Sequence, residues 1–170
     1  SIQGEEDGNY ATKPLLELVK KANKQKPSAI IIGCFDDTGL EKAREISLCP
    51  VLGIGESSFL LSYLFSGETA VITTVHEAVP IIKKNIKNAG YSTLISEVIA
   101  ADVEVLDLEF SPAQSAVKFA QASKALNGST QNIILGCAGA VKIKDEFETI
   151  TGYKSFDGVT SAAKLCRALL

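Results

Sequence analysis

The chain has 170 residues, 46% of them hydrophobic and 22% charged, with 17 basic and 20 acidic side chains and a net charge of −3. Such globular composition excludes disorder, collagen and coiled coil, and this length buries the core of one domain or of two small lobes. The weak negative charge argues against a nucleic-acid or anionic-membrane surface, and no run approaches the roughly 18 apolar residues of a membrane span.

Taken in chain order, Leu15, Leu16, Leu18 and Val19 among lysines predict an amphipathic helix over 10–24. The run Ala29-Ile30-Ile31-Ile32-Gly33 predicts a short strand buried on both faces. Residues 38–47 read as helix, 50–53 as strand, 56–66 as apolar helix and 69–74 as strand. A helix over 78–88 follows, with Gly90 placed as its C-cap. Residues 94–99 are ambiguous, and 103–108 read as strand. Ser111-Pro112 opens a helix to about 126, because proline suits a first turn. Residues 133–136 read as a buried strand, 142–150 as helix and 159–170 as a closing helix. Strands alternating with helices mean parallel α/β sheets. Ser66-Gly67-Glu68 is the best boundary between two units.

Four cysteines, Cys34, Cys49, Cys137 and Cys166, are widely spaced, with no CxxC and a single His. That pattern favours free thiols in a reducing cytoplasm over disulfides or a structural zinc site, so no metal is expected. Two of the cysteines belong to an internal repeat. Ile30-Ile31-Ile32-Gly33-Cys34 is echoed 103 residues later by Ile133-Ile134-Leu135-Gly136-Cys137. At the same offset Gly55 matches Gly158, and Ser57-Ser58 matches Thr160-Ser161. Each half therefore carries a strand with Gly-Cys at its carboxyl end, where ligands of open α/β sheets bind. A helix N-terminus there can depress a thiol pKa. Two such thiols from facing lobes could act on opposite faces of one carbon, one removing a proton and the other returning one. Backbone N–H groups over 35–39 and 138–140 could hold the enolate oxygen.

These motifs resemble the aspartate/glutamate/hydantoin racemase superfamily, with the hydantoin and allantoin racemase branch closest. The resemblance rests on Ile32-Gly33-Cys34-Phe35-Asp36-Asp37-Thr38-Gly39, Pro50-Val51-Leu52-Gly53-Ile54-Gly55-Glu56 and Leu135-Gly136-Cys137-Ala138-Gly139. It implies two similar α/β lobes, each a parallel sheet flanked by helices, with the active site between them. Lobe one would take residues 1–67 and 158–170, and lobe two 68–157, with the closing helix returning to lobe one. It implies cofactor-independent racemisation of a 5-substituted hydantoin or other cyclic ureide by Cys34 and Cys137. It also implies substrate contacts from Ile2, Phe35, Thr38, Gly39, Thr73, Thr74, Ala138 and Gly139, and a cytoplasmic homo-oligomer without nucleic-acid or membrane partners. Two departures stand out. The chain opens Ser-Ile-Gln-Gly without Met, near the family's Ser-Ile segment, so about the first quarter of a typical member is expected to precede it. The family often has Pro where Thr38 stands, and Thr can cap a helix there.

Other features take plainer readings. Cys49 and Cys166 are expected in the core. His76 is expected at the surface or at a helix start, and the lysines at 20, 21, 24 and 26 on a solvated face. Gly53-Ile54-Gly55 begins like a dinucleotide fingerprint but has Ser58 at the third glycine, which argues against nucleotide. Asp36 and Asp37 would cap or restrain the helix after Cys34. Ser57-Ser58 and Thr160-Ser161 read as N-caps. Glu56 is open to orienting a substrate N–H or to sitting in a first helical turn. Two rival functions remain: a related decarboxylase or isomerase using one cysteine, and a non-catalytic small-molecule binder.

Overall fold

Two separate parallel sheets organise the chain in the computed structural model, which describes residues 2–169. Helix α1 (Glu5–Asn23) has Glu5, Glu6 and Asp7 in its first turn and Lys20 and Lys21 in its last. Both sets of charges suit the helix dipole, and the acidic turn starts the helix five residues before the expected residue 10. Strand β1 (Ile30–Ile32) is followed by α2 (Leu40–Ile46), and β2 (Val51–Gly53) pairs in parallel with β1. A small core of Val19, Ile32, Leu40, Ala43 and Val51 lies beneath them. β1 is not buried on both faces: Ile32 is inside, but Ile31 is 43% exposed. Helix α3 (Ile54–Tyr63) leaves β2 without a connecting loop.

The second sheet is larger. It contains β3 (Glu68–Thr73), β4 (Ile95–Ala100), β5 (Thr130–Gly136) and β6 (Lys154–Asp157), all parallel in the order β4-β3-β5-β6. The helices between these strands are α4 (Val79–Asn88), α5 (Asp107–Phe110), α6 (Pro112–Ser123) and α7 (Lys144–Thr151), and α8 (Gly158–Leu169) follows β6. Alternate side chains of the central strands face two cores. Ala70, Ile72, Ile133 and Leu135 pack with Phe119 and Phe147 on one face. Val71 and Ile134 pack with Phe59, Ile82 and Ala162 on the other. A sheet covered on both faces explains the uninterrupted Ile133-Ile134-Leu135 run. Helix α8 turns back to pack against α3: a side chain on Gly158 would stand 2.7 Å from the Ile54 carbonyl oxygen.

Several expectations are corrected. Residues 103–108 form no strand. Val103 is buried and its N–H donates to the Thr74 carbonyl, so the segment follows the end of β3 before turning into α5. The ambiguous 94–99 segment is the edge strand β4, and β6 went unpredicted. Ser57, Ser58 and Ser161 are not N-caps. They lie inside helices and donate to the carbonyls of Gly53, Gly55 and Asp157. Helix α8 is capped instead by Asp157, whose Oδ1 accepts from the Thr160 N–H at 2.7 Å. Cys49 and Cys166 are half-buried and stand outside the core. Gly90 does follow α4 with φ 82, as a C-cap glycine should. No helix among the described residues is long and apolar enough to cross a membrane.

Candidate active site

The repeat places its two cysteines at the carboxyl ends of β1 and β5, in different sheets. Both line one cavity of about 230 Å³, together with Ile2, Gly33, Phe35, Asp36, Thr73, Thr74, Ala78, Val105, Gly136 and Ala138. Of the residues expected to touch substrate, Ile2, Phe35, Thr73, Thr74 and Ala138 are therefore at this cavity. Thr38, Gly39 and Gly139 do not line it. Thr38 and Gly39 line a cleft of about 310 Å³ on the far side of the Cys34 turn. Gly139 packs on α5, where an added side chain would stand 3.0 Å from Leu108 Cβ. A still larger cleft of about 660 Å³ lies between α1, α2 and α4. Neither cleft holds a cysteine, so chemistry rather than size selects the smaller cavity.

The strand ends are built tightly. An added side chain on Gly136 would lie 3.1 Å from both Thr73 Cβ and Val71 Cγ1. The Thr73 hydroxyl donates to the Gly136 carbonyl at 2.8 Å, which fixes the strand entering Cys137. After Cys34 the chain makes a tight turn: the Asp37 N–H donates to the Cys34 carbonyl, and the Leu40 N–H to the Asp37 carbonyl. Asp37 has φ 48, an unfavourable region for a side-chain-bearing residue. Its carboxylate offsets that strain by accepting from the Gly55 and Glu56 N–H groups at 3.0 and 2.7 Å. Asp37 thus caps α3, the helix after β2, rather than α2. Gly53-Ile54-Gly55 is the cradle for that carboxylate, since a side chain on Gly53 would fall within 2.2 Å of Asp37 Oδ1. A second tether comes from α4, where the Asn85 amide donates to the Asp36 carbonyl at 2.8 Å. Glu56 sits in the first turn of α3 and pairs with Arg44 at 2.7 Å. His76 is exposed at a helical start and pairs with Asp102.

Backbone donors converge on the sulfurs themselves. The nearby N–H groups of Asp36 and Thr38 favour the ionised form of Cys34, and those of Ala138 and Gly139 favour that of Cys137. The Ala140 N–H is occupied by the Cys137 carbonyl. Two donors expected to hold an enolate oxygen, those of Asp37 and Ala140, are therefore committed to the turns. The expected depression of the thiol pKa values is reversed. Burial pushes Cys34 up, the Thr38 hydroxyl partly counters this, and the nearby Asp36 charge adds to it. Burial also pushes Cys137 up, the Gly139 N–H counters it, and negative charge on Cys34 raises it further. Helix α2 begins only at Leu40, so no helix N-terminus faces Cys34 to offset the desolvation.

Burial likewise pushes the Asp37 carboxyl up from 3.8 to about 7, and Asp36 to about 6. A folded pKa above the unfolded one means that stability is full below the unfolded value and is lost as pH rises through the folded value. The melting temperature should therefore fall from about pH 4 to about pH 7, and Asp37→Asn should flatten that fall. Thermal melts across this window check the prediction. A melting temperature that rises with pH contradicts it.

Known proteins share this architecture. The Asp/Glu/Hydantoin racemase family profile matches residues 1–166. A hydantoin racemase of Rhizobium meliloti is 35% identical over 173 residues, covering 100% of this chain and 71% of that protein. A hydantoin racemase of Pseudomonas sp. (strain NS671) is 27% identical, covering 100% of this chain and 69% of that protein. The structure of allantoin racemase from Klebsiella pneumoniae superposes with a TM-score of 0.90 at 27% identity, over 99% of this chain and 70% of that one. Glutamate racemase from Bacillus anthracis shares the fold, with a TM-score of 0.76 at 17% identity over 96% of this chain and 65% of that one. The ordered cysteine motifs, the repeated strand ends and these matches have one common account: the chain belongs to the Asp/Glu/hydantoin racemase family.

Proposed function

We propose that this chain racemises 5-substituted hydantoins, allantoin among them, with Cys34 and Cys137 as the two bases. The observation that carries this is the meeting of both repeat cysteines at one cavity. The ring carbon C5 lies next to a carbonyl, so its proton leaves to give an enolate. One cysteine, as thiolate, takes that proton and becomes a thiol. The other, as thiol, delivers a proton to the opposite face and becomes a thiolate. The net charge of the pair is unchanged, and the next turnover runs in reverse. Only one of the two sulfurs need be ionised, and mutual repulsion across the cavity favours that state. Phe35, Val105 and Ala78 contribute an apolar wall that keeps water from competing for the proton. Thr73 and Thr74 add hydroxyls at the rim of the same cavity. The hydroxyl of Thr73 already donates to Gly136, so towards substrate it serves as an acceptor.

The lobe division at residues 67/68 and 157/158, the homo-oligomer and a cytoplasmic setting belong to the same reading. The exposed apolar side chains of Tyr63, Leu64 and Phe65 at the end of α3 fit a chain that self-associates. The decisive test is deuterium uptake at C5 of enantiopure allantoin and of a 5-alkyl hydantoin, followed by NMR and circular dichroism in heavy water. Enzyme-dependent exchange with loss of optical activity is the expected result. Binding without exchange beyond the enzyme-free rate would overturn the proposal in favour of a non-catalytic binder. With both thiols raised by burial, the rate should climb through neutral pH without levelling off near 7. A rate that is flat from about pH 6 to about pH 8 would contradict thiolate catalysis.

A further inference from the structure

The turn after Cys34 carries one buried hydroxyl that the proton-transfer scheme leaves unused. Thr38 Oγ1 stands 3.4 Å from Cys34 Sγ, and Thr38 is 8% exposed. It lies behind the sulfur, outside the cavity wall. On its other side Thr38 meets the Gly8 turn of α1, where an added side chain would be in ordinary contact, at 3.7 Å, with its methyl and its hydroxyl. A hydroxyl can donate to a thiolate or accept from a thiol. The turn after Cys137 offers no counterpart, because Ala138-Gly139-Ala140-Val141 contains no hydroxyl. The charged and titratable groups facing Cys34 are Asp36 on its own turn and Cys137 across the cavity. Two sulfurs that the repeat makes alike in sequence are therefore unlike in surroundings.

We propose that Thr38 is a positioning residue for Cys34: its hydroxyl holds the sulfur in one orientation and reverses its own hydrogen bond as the proton comes and goes. Cys34 is thereby stabilised in both protonation states by a partner that rotates, whereas Cys137 depends on fixed donors. This rests on the two-thiol racemase reading, and the test separates the two.

Iodoacetamide alkylation without substrate is followed at each cysteine by peptide mass spectrometry, as a function of pH. Cys49 and Cys166 serve as internal references. In Thr38→Val the Cys34 profile should move to higher pH, with alkylation about three- to tenfold slower at about pH 8. The Cys137 profile should stay in place, and Thr38→Ser should restore Cys34. Circular dichroism checks the fold, and Thr38→Ala replaces Val if the Val variant does not fold. An unmoved Cys34 profile overturns the proposal. So does an equal shift at both cysteines, which signals general loosening, or a failure of Ser to restore. C5 exchange by the unmodified chain decides the racemase reading separately, whatever alkylation shows for Thr38.

Discussion

Cys34→Ser and Cys137→Ser should each lower racemisation by at least about a thousandfold while leaving the melting temperature nearly unchanged. Serine preserves the shape of the side chain but is a far weaker acid than a thiol, so near neutrality it neither ionises to accept the C5 proton nor readily gives one up. Each sulfur meets backbone N–H donors that a hydroxyl can equally use, so little folding energy is at stake. The two variants should differ in what survives. Each keeps one working base, which faces one side of the ring, so each should still exchange deuterium into one enantiomer and not the other. The double variant should do neither. The experiment is chiral chromatography for racemisation beside NMR for exchange. Racemisation by either single variant within about tenfold of the parent would end the two-base account.

Gly55→Ala should be the most damaging substitution away from the cavity. Its new carbon would stand 2.4 Å from the Phe35 carbonyl oxygen and 2.8 Å from Asp37 Oδ2. The first neighbour is backbone and cannot swing aside, so the turn carrying Cys34 must move. Overpacking of this kind costs about 3 kcal/mol, which for a domain of this size is a fall of about 6–12 °C in melting temperature. Activity should fall further than stability, because Phe35 is the residue next to the thiol. Gly128→Ala is the control: an added side chain there meets nothing within 4 Å. Calorimetry of both variants gives the comparison, and a Gly55→Ala protein that melts with the parent would show that the Asp37 clasp is dispensable.

Much of the candidate site was legible because the repeat marks both of its strand ends. The apolar runs gave β1 and β5, and Gly-Cys at the end of each gave the thiol pair. The same repeat held one signal left unread: carried forward by 103, Val51–Gly53 falls on 154–156, which lies within β6. β6 has Phe156 as its one large apolar side chain, too little for periodicity to register. The opposite error arose at 103–108, where Val103 and Val105 alternate as a strand would. There the edge is already closed by β4, and the two valines are drawn inward one at a time. The caps were misassigned because Asp37 reaches α3 from eighteen residues away, a contact no local pattern announces. The direction of the thiol pKa values is hidden for a related reason: a motif shows the donors near a sulfur but not the depth of burial that outweighs them.

The two thiols stand on strands that share no hydrogen-bonded ladder. Their spacing is therefore set by packing, with Phe35, Ile54 and Phe59 in one core with Val71, Ile134 and Ala162, and by the Asn85 tether, rather than by a run of backbone bonds. Within a sheet, neighbouring strands hold a fixed separation near 4.8 Å; between these sheets, sliding of packed helices can narrow or widen the gap. On the proposed two-base reading, that gap is the coordinate that sets how the two sulfurs reach opposite faces of one ring carbon. Hydrostatic pressure, which favours the smaller of two volumes, should act on that coordinate first and close the cavity before it disturbs either sheet.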